Sequence, residues 1–332
     1  MALAQRKTNI ALTHLNREYD PHHTSWSEII AFSELLNNQH NTNIYLNEIT
    51  EVMKHKDQFH QIYIFATGQL KDSIKSQINN YKGQIYLIIQ DPNWPVQFEI
   101  NREYTLITPF RKWSKNTLLN INNDIELLPW TISTFTKHIY FPFGLMLAYN
   151  KKYFDRYMSY KNDSYLDQNF NEYYIYAGSL KEDRKSQFKK AINLINVAFY
   201  GNFTNDQLRK LTNEKDLQKS DCKGKVNPYL IPHLYGKYKT ILLMPDFLIN
   251  YFDVSYIRYF EIYLAQVLYQ AYTILILSDD IHDQHYAYAN LKNFSTFHKD
   301  LLEINMDHLI EYYEDGINMK KRIYDLIKKE RF

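Results

Sequence analysis

An α/β protein of two Rossmann-like domains, each built on a parallel sheet and facing its partner across a central cleft, is the architecture this sequence predicts. Three observations predict it. The chain has 332 residues, more than the roughly 250 to 300 that one hydrophobic core organises. In both halves short apolar runs bounded by polar residues alternate with helical spacing, an order that right-handed crossovers turn into parallel sheets. Several of those runs end in Asp or Gly, at the carboxyl edge where open α/β sheets place ligands.

Taken in order, Thr8 to Thr13 reads as a buried strand. The loop after it carries His22 and His23, an adjacent pair without the further spaced ligands a metal site needs. Ser25-Trp-Ser-Glu28 reads as a helix start, with Ser25 as N-cap and Glu28 at N3 forming a capping box. Ile62 to Ala66 and Gly83 to Asp91 are strands, and Lys71 to Tyr81 between them has helical spacing. Asp91 then closes a strand before Pro92-Asn-Trp-Pro95, where an Asp-Pro turn alone would explain it.

From Asp91 to Asn116 the chain reads as loop, with Arg102, Arg111, Lys112 and Lys115 interleaved with Tyr104, Phe110 and Trp113. Cations for phosphates and aromatics for exposed bases suit a nucleic acid; a solvated basic loop with its aromatics tucked into the core is the alternative. A polar, Tyr-rich connection over 150–171 marks the domain boundary, which divides the chain into 1–160, 161–305 and a C-terminal helix at 306–332.

The second domain opens with Tyr173 to Ala177, a strand running into Gly178-Ser179-Leu-Lys181-Glu-Asp-Arg184 and a helix. Backbone N–H groups and basic side chains at such a first turn make an anion site. Val197 to Tyr200 ends in Gly201-Asn202, and Lys223-Gly224-Lys225-Val226 is a further turn. Strand Thr240 to Met244 leads to Ser255-Tyr-Ile-Arg258-Tyr-Phe-Glu261, a helix, and strand Tyr272 to Leu277 ending in Ser278-Asp-Asp280. On a helix Arg258 and Glu261 share a face. A guanidinium fork suits a diphosphate and a carboxylate suits ribose hydroxyls, although an i,i+3 surface salt bridge, which stabilises little, has the same spacing. Met306 to Lys329 is amphipathic, and Lys320, Lys321, Arg322, Lys328 and Lys329 read as a solvated face or helix-end charges.

Composition narrows the class. One cysteine, Cys222, excludes a disulfide framework and a Cys-based zinc site. No apolar run approaches the roughly 20 residues of a membrane span, and no signal-peptide core opens the chain, so a cytoplasmic protein without a membrane partner is expected. With 39 Lys+Arg against 37 Asp+Glu, any nucleic-acid surface must come from local clustering.

In their shared order these segments resemble the GT-B glycosyltransferases, most closely the T-even phage DNA β-glucosyltransferase family. Gly178-Ser179 resembles its Gly-Gly-Ser-Phe-Arg segment, Phe199-Tyr-Gly201-Asn202 its Phe-Phe-Gly-Asn, Gly224-Lys225-Val226 its Gly-Lys-Ile-Pro, and Tyr140-Phe-Pro-Phe143 its Tyr-Phe-Pro-Ile; Gly224 and Arg258 keep close to the family spacing. The resemblance implies that Arg258 grips the diphosphate of a UDP-sugar and Glu261 its ribose. Lys181 and Arg184 reach the phosphates, with Lys181 replacing an arginine fork by a point charge. The backbone around Val226 reads the uracil. It implies Asp91 as catalytic base and Glu28 near the transferred sugar and acceptor. It also implies DNA contact through the Arg102 to Lys115 region, with the target base taken out of the duplex, and a C-terminal helix crossing back to the first domain.

The implied reaction is inverting transfer of a sugar, glucose, from a UDP-sugar to a hydroxymethylated base such as hydroxymethylcytosine in double-stranded phage DNA. The implied setting is a monomer in the cytoplasm of an infected bacterial host, with Mg2+ or Mn2+ assisting the diphosphate and no protein-built metal site. Two alternatives stay open: the same fold acting on a non-DNA acceptor, and a catalytically inactive nucleotide-sugar-binding protein.

Overall fold

The computed structural model describes residues 7–19, 24–39, 42–114, 118–141, 143, 151–170, 172–194, 196–217, 219–238, 240–244, 246–252, 254, 257–269 and 273–276. Expectations for His22, His23, Lys115, Ser255, Ser278 to Asp280 and the helix at 306–332 with its basic cluster lie outside these residues, as do those for the side chains of Ser25 and Arg111. The chain divides into two compact units, Met1–Tyr153 with Tyr251–Ile257, and Phe154–Asn250 with Arg258–Phe332.

The first unit is built on a six-stranded sheet. Its strands are β1 (Thr8–His14), β2 (Thr42–Leu46), β3 (Gln61–Phe65), β5 (Gln84–Ile88), β7 (Thr105–Thr108) and β9 (Lys137–Tyr140), in the order β2-β1-β3-β5-β7-β9. Every neighbouring pair is parallel. Such strands are covered on both faces, which is why they read as apolar runs and not as alternations; in β3, Ile62, Tyr63, Ile64 and Phe65 are all buried. The chain passes from β2 on one side of β1 to β3 on the other, so the switch point of the sheet lies between β1 and β3. A small parallel sheet of β4 (Gly68–Gln69), β6 (Val96–Phe98) and β8 (Trp130–Ile132) accompanies it.

The sequence reading did not include β2 and β9, and two longer stretches also differ from it. The expected loop from Asp91 to Asn116 contains β6, β7 and a helical turn, Arg111–Ser114. These elements are three or four residues long, too short for any periodicity to recur in them. The expected polar connection contains a helix, Lys151–Ser159, and a 3-10 turn, Ser164–Asp167.

The segment Tyr251–Ile257 joins the first unit for a packing reason. Phe252 is fully buried and stacks on Phe110 with centroids 4.7 Å apart, its edge meets Trp113 at 5.3 Å, and Val254 bridges to Phe110. Burying one such side chain stabilises by about 1.5–3 kcal/mol.

The second unit holds a five-stranded parallel sheet in the order β12-β11-β10-β13-β14. The strands are β10 (Tyr174–Ala177), β11 (Val197–Tyr200), β12 (Asp221–Gly224), β13 (Thr240–Leu243) and β14 (Thr273–Ile276). Helices Lys185–Ile192 and Asn205–Thr212 bury Phe188, Ile192, Leu208 and Leu211 against Phe199 and Leu242 of the sheet. The second helix is bounded by a capping box, Thr204 with Gln207, and by Asn213 in the left-handed conformation at φ 60°. Here the switch point lies between β10 and β13.

Candidate functional site

Three glycines singled out in the sequence follow or close three adjacent strands of the second sheet, after β10, after β11 and at the end of β12. Gly178 N donates to Tyr200 O at 2.9 Å and Gly201 N donates to Gly224 O at 3.0 Å, so backbone hydrogen bonds extend the ladder past the side chains. At Gly201 a Cβ would stand 2.2 Å from the Gly178 carbonyl oxygen, and backbone cannot yield by that much. Gly224 has φ +78° with no atom within 4 Å of a Cβ, so it is required by conformation and not by crowding. Ser179, Asn202 and Lys225 are exposed beside this edge, and Val226 is half-buried.

Arg184 and Lys181 follow β10, and both turn towards Asp246, which follows β13 across the switch point. Arg184 Nη2 donates to Asp246 Oδ2 at 3.1 Å, and Lys181 Nζ lies 3.7 Å from the same oxygen. Asp246 is itself buried and accepts from Ile249 N at 2.9 Å, capping the helix Phe247–Phe252. Arg184 also donates to Tyr176 Oη at 3.3 Å, and that hydroxyl donates to Ser179 O. Burial raises the Tyr176 phenol above its ordinary value, and the charges of Arg184 and Arg258 both oppose the shift. Arg184 is thus bonded to the phenol, and Arg258 acts on it through its charge.

Arg258 and Glu261 are bonded to each other within the helix Ile257–Tyr269. The pair is not the surface bridge of the bland alternative: Glu261 is 1% exposed. Burial opposes the charge on Arg258, but Glu261 together with the phenols of Tyr235 and Tyr176 holds the guanidinium above its ordinary value. Burial likewise pushes the Glu261 carboxyl up, against Arg258 and the Tyr157 hydroxyl 3.4 Å away. Lys223, at the far edge of the sheet, bridges to Glu172 and to Asp221.

In the first unit β5 ends at Ile88, and Ile89 and Gln90 carry the chain to Asp91 at the carboxyl side of the sheet. Asp91 Oδ1 accepts from Asn93 N at 2.9 Å and from Asn93 Nδ2 at 3.1 Å, so the turn role read from the sequence is realised. Glu28 is drawn to the same place from the helix Thr24–Gln39. Burial pushes its carboxyl up to about 8, the neighbouring Gln90 works the other way, and the charge of Asp91 adds to the rise. A carboxyl raised by burial thus lies within reach of the charge of a second one at this strand end. The helix is described from Thr24, which puts Ser25 inside its first turn and not at the N-cap.

Of the expected DNA-contact residues, the side chains of Arg102 and Lys112 are described, and each is engaged within the first unit. Arg102 reaches the carbonyls of Ile78 at 3.2 Å, Gly83 at 2.5 Å and Tyr81, and lies over the Tyr81 ring, which commits it to closing the turn before β5. Lys112 sits 3.2 Å from the centroid of Tyr251. Tyr104, Phe110 and Trp113, expected as stacking platforms, are core residues, each at most 2% exposed; a sequence cannot tell an aromatic packed inward from one held out to solvent.

Sequence reasoning missed Tyr176, Asp246, Tyr157 and Gln90. Asp246 had a signal, an acid after an apolar strand as at Asp91. Tyr157 and Tyr176 had none, being two of 30 tyrosines.

Two parallel α/β sheets, each carrying its polar residues at the carboxyl edge, define a fold of the GT-B type. Solved structures with this fold include the β-glucosyltransferase of T4 phage with its UDP-glucose substrate (16% identity, TM-score 0.53). The same protein, described as a DNA modifying enzyme, in the presence and absence of uridine diphosphoglucose, gives 17% and 0.55. Its complex with UDP and Mn2+ gives 16% and 0.54. Each similarity covers 96% of this chain and 99% of the other. No protein-family model and no curated protein matches the sequence. Among the described residues no helix is long and apolar enough to cross a membrane, and no three His, Cys, Asp or Glu side chains group as a metal site.

Proposed function

We propose that the protein is an inverting glycosyltransferase that moves glucose from UDP-glucose to a hydroxymethylated base in phage DNA. The observation that carries the proposal is Arg184, bonded to Tyr176 Oη and Asp246 at the carboxyl edge of β10, next to the turn at Gly178, with Gly201 and Gly224 closing the two neighbouring strands. A guanidinium next to side-chain-free backbone suits a diphosphate, which needs fixed positive charge and close approach, and Arg258 is the proposed second cation. The likeness to the T4 enzyme over nearly the whole chain supports the same reading.

In this proposal Asp91 takes the proton from the acceptor hydroxyl as its oxygen bonds to the anomeric carbon. The bond from that carbon to the diphosphate oxygen breaks on the opposite face, which inverts the configuration. UDP leaves with its new charge met by Arg258, Arg184 and Lys181, while Glu261 holds the ribose hydroxyls and the Gly224 to Val226 backbone reads the uracil. Glu28, protonated near neutrality, donates a hydrogen bond at the sugar or acceptor. Mg2+ or Mn2+, when bound, would assist the leaving diphosphate. Arg111, Lys112 and Lys115 are the proposed phosphate contacts to DNA; Arg102 is withdrawn from that role by its three carbonyl partners.

The test is calorimetric titration with UDP-glucose, followed by transfer of labelled glucose to hydroxymethylated and unmodified duplexes. Binding with transfer to the modified duplex alone is expected. Binding without transfer to any duplex overturns the DNA acceptor, and no binding of UDP-glucose overturns the donor.

A further inference from the structure

We infer that Tyr157 is a positioning residue for nucleotide recognition, one side chain that sets both the carboxylate assigned to the ribose and the turn beyond the base-reading edge. The inference rests on the donor-site reading above.

Tyr157 is 0% exposed and lies in the helix Lys151–Ser159. Its backbone is held by His233: the Tyr157 carbonyl can only accept, so His233 Nε2, 2.6 Å away, carries the hydrogen, and Nδ1 accepts from Tyr269 Oη at 2.5 Å. Burial pulls the His233 imidazole below its ordinary value, in keeping with this neutral tautomer. From that fixed base the phenol reaches Glu261 Oε1 at 3.4 Å. The ring edge meets Tyr229 with centroids 5.1 Å apart.

Arg156 of this helix and Tyr160 just past its end hold the turn after Val226 at further points. Tyr160 stacks on Tyr229 at 6.0 Å and 18°, and its hydroxyl accepts from Asn227 Nδ2 at 2.9 Å. Arg156 Nη1 donates to Tyr229 Oη at 3.2 Å. Asn227 in turn caps the 3-10 turn Pro228–Leu230 through Tyr229 N at 3.0 Å.

The chemistry explains why such a residue is needed. Arg258 and Glu261 satisfy each other within one helix, and a guanidinium drawn to a diphosphate loosens its hold on the carboxylate. A buried carboxylate that loses a donor takes up a proton or turns away. Tyr157 supplies a donor that stays in place, so Glu261 keeps both its charge and its orientation towards ribose hydroxyls.

The test is Tyr157→Phe, which removes the hydroxyl and keeps the ring, titrated with UDP and with 2′,3′-dideoxy-UDP. UDP should weaken about fivefold, the size of one hydrogen bond, while the dideoxy compound binds as it does to the wild type. A cycle with Glu261→Gln should be non-additive for UDP. Tyr157→Leu, which also removes the ring, should weaken both compounds and reduce the preference for UDP over CDP. Wild-type affinity for UDP in Tyr157→Phe, an equal loss for both compounds, or additivity in the cycle overturns the inference while the donor site stands. Absence of UDP binding by the wild type removes the donor reading itself, and the inference with it.

Discussion

Arg184 Nη2 stands 3.1 Å from Asp246 Oδ2, tying the segment after β10 to the segment after β13 on either side of the second sheet's switch point. The pair is largely buried, and Asp246 has a second task at the start of the helix Phe247–Phe252. Asp246→Ala therefore removes a cap and leaves a guanidinium without its carboxylate, with an expected loss of about 2–4 kcal/mol in urea unfolding. Asp246→Asn keeps an oxygen for Ile249 N and should recover about 1 kcal/mol of that. Equal losses in the two variants would show that the cap contributes nothing.

Arg258 and Glu261 invite a stability test as well as a binding test. Because Glu261 is buried, Arg258→Ala leaves its carboxyl with the Tyr157 hydroxyl but without a counter-charge and should cost about 3–5 kcal/mol, a cost the sequence reading did not foresee. Replacing both, Arg258→Met with Glu261→Leu, should restore most of the stability, since buried ion pairs exchange for apolar packing at small net cost. Donor binding should be absent from both variants in calorimetry. Binding that returns with stability would mean that the pair only holds the helix in place.

Glu28 gives a prediction with a sign. Its carboxyl is raised from the ordinary 4.5 to about 8 in the folded protein. Between those values the folded state keeps a proton that the unfolded chain releases, so this residue's contribution to stability is fully present below about 4.5 and is lost as the pH rises through about 8. Glu28→Gln should flatten that slope, with its melting temperature rising relative to wild type from acid to mildly alkaline solution. Parallel profiles for the two proteins would show that Glu28 titrates as an ordinary surface acid.

The strands β1, β3, β5, β10, β11, β13 and β14 were legible because parallel strands are apolar on both faces, as in Ile62 to Phe65 and Val197 to Tyr200; β2, β7, β9 and β12 were not, being short and mixed with polar residues. The glycine turns were legible because Gly201 and Gly224 answer local demands of crowding and φ. What else escaped was long-range. The spacing of Arg258 and Glu261 is the same on a surface and in a core, so their burial could not be read. The partnership of Arg184 with Asp246 spans 62 positions. Arg102 looked free because the carbonyls of Ile78, Tyr81 and Gly83 come together only in the folded turn.

Asp91 is where a turn residue and a proposed base coincide, and one substitution separates them. Oδ1 already serves Asn93 N and Nδ2, and Asp91→Asn offers an oxygen of the same shape to that turn while removing the basicity. Donor affinity should persist, because Asp91 belongs to the first unit and the donor groups to the second. Transfer should fall by roughly 10²- to 10⁴-fold, the range for loss of a general base. Rapid-quench measurement of a single turnover with saturating donor reads the chemical step directly. A retained rate would leave Asp91 as a turn residue alone. A loss confined to the Asn variant, with Asp91→Glu partly active, would place the function in the carboxylate and not in the turn it closes.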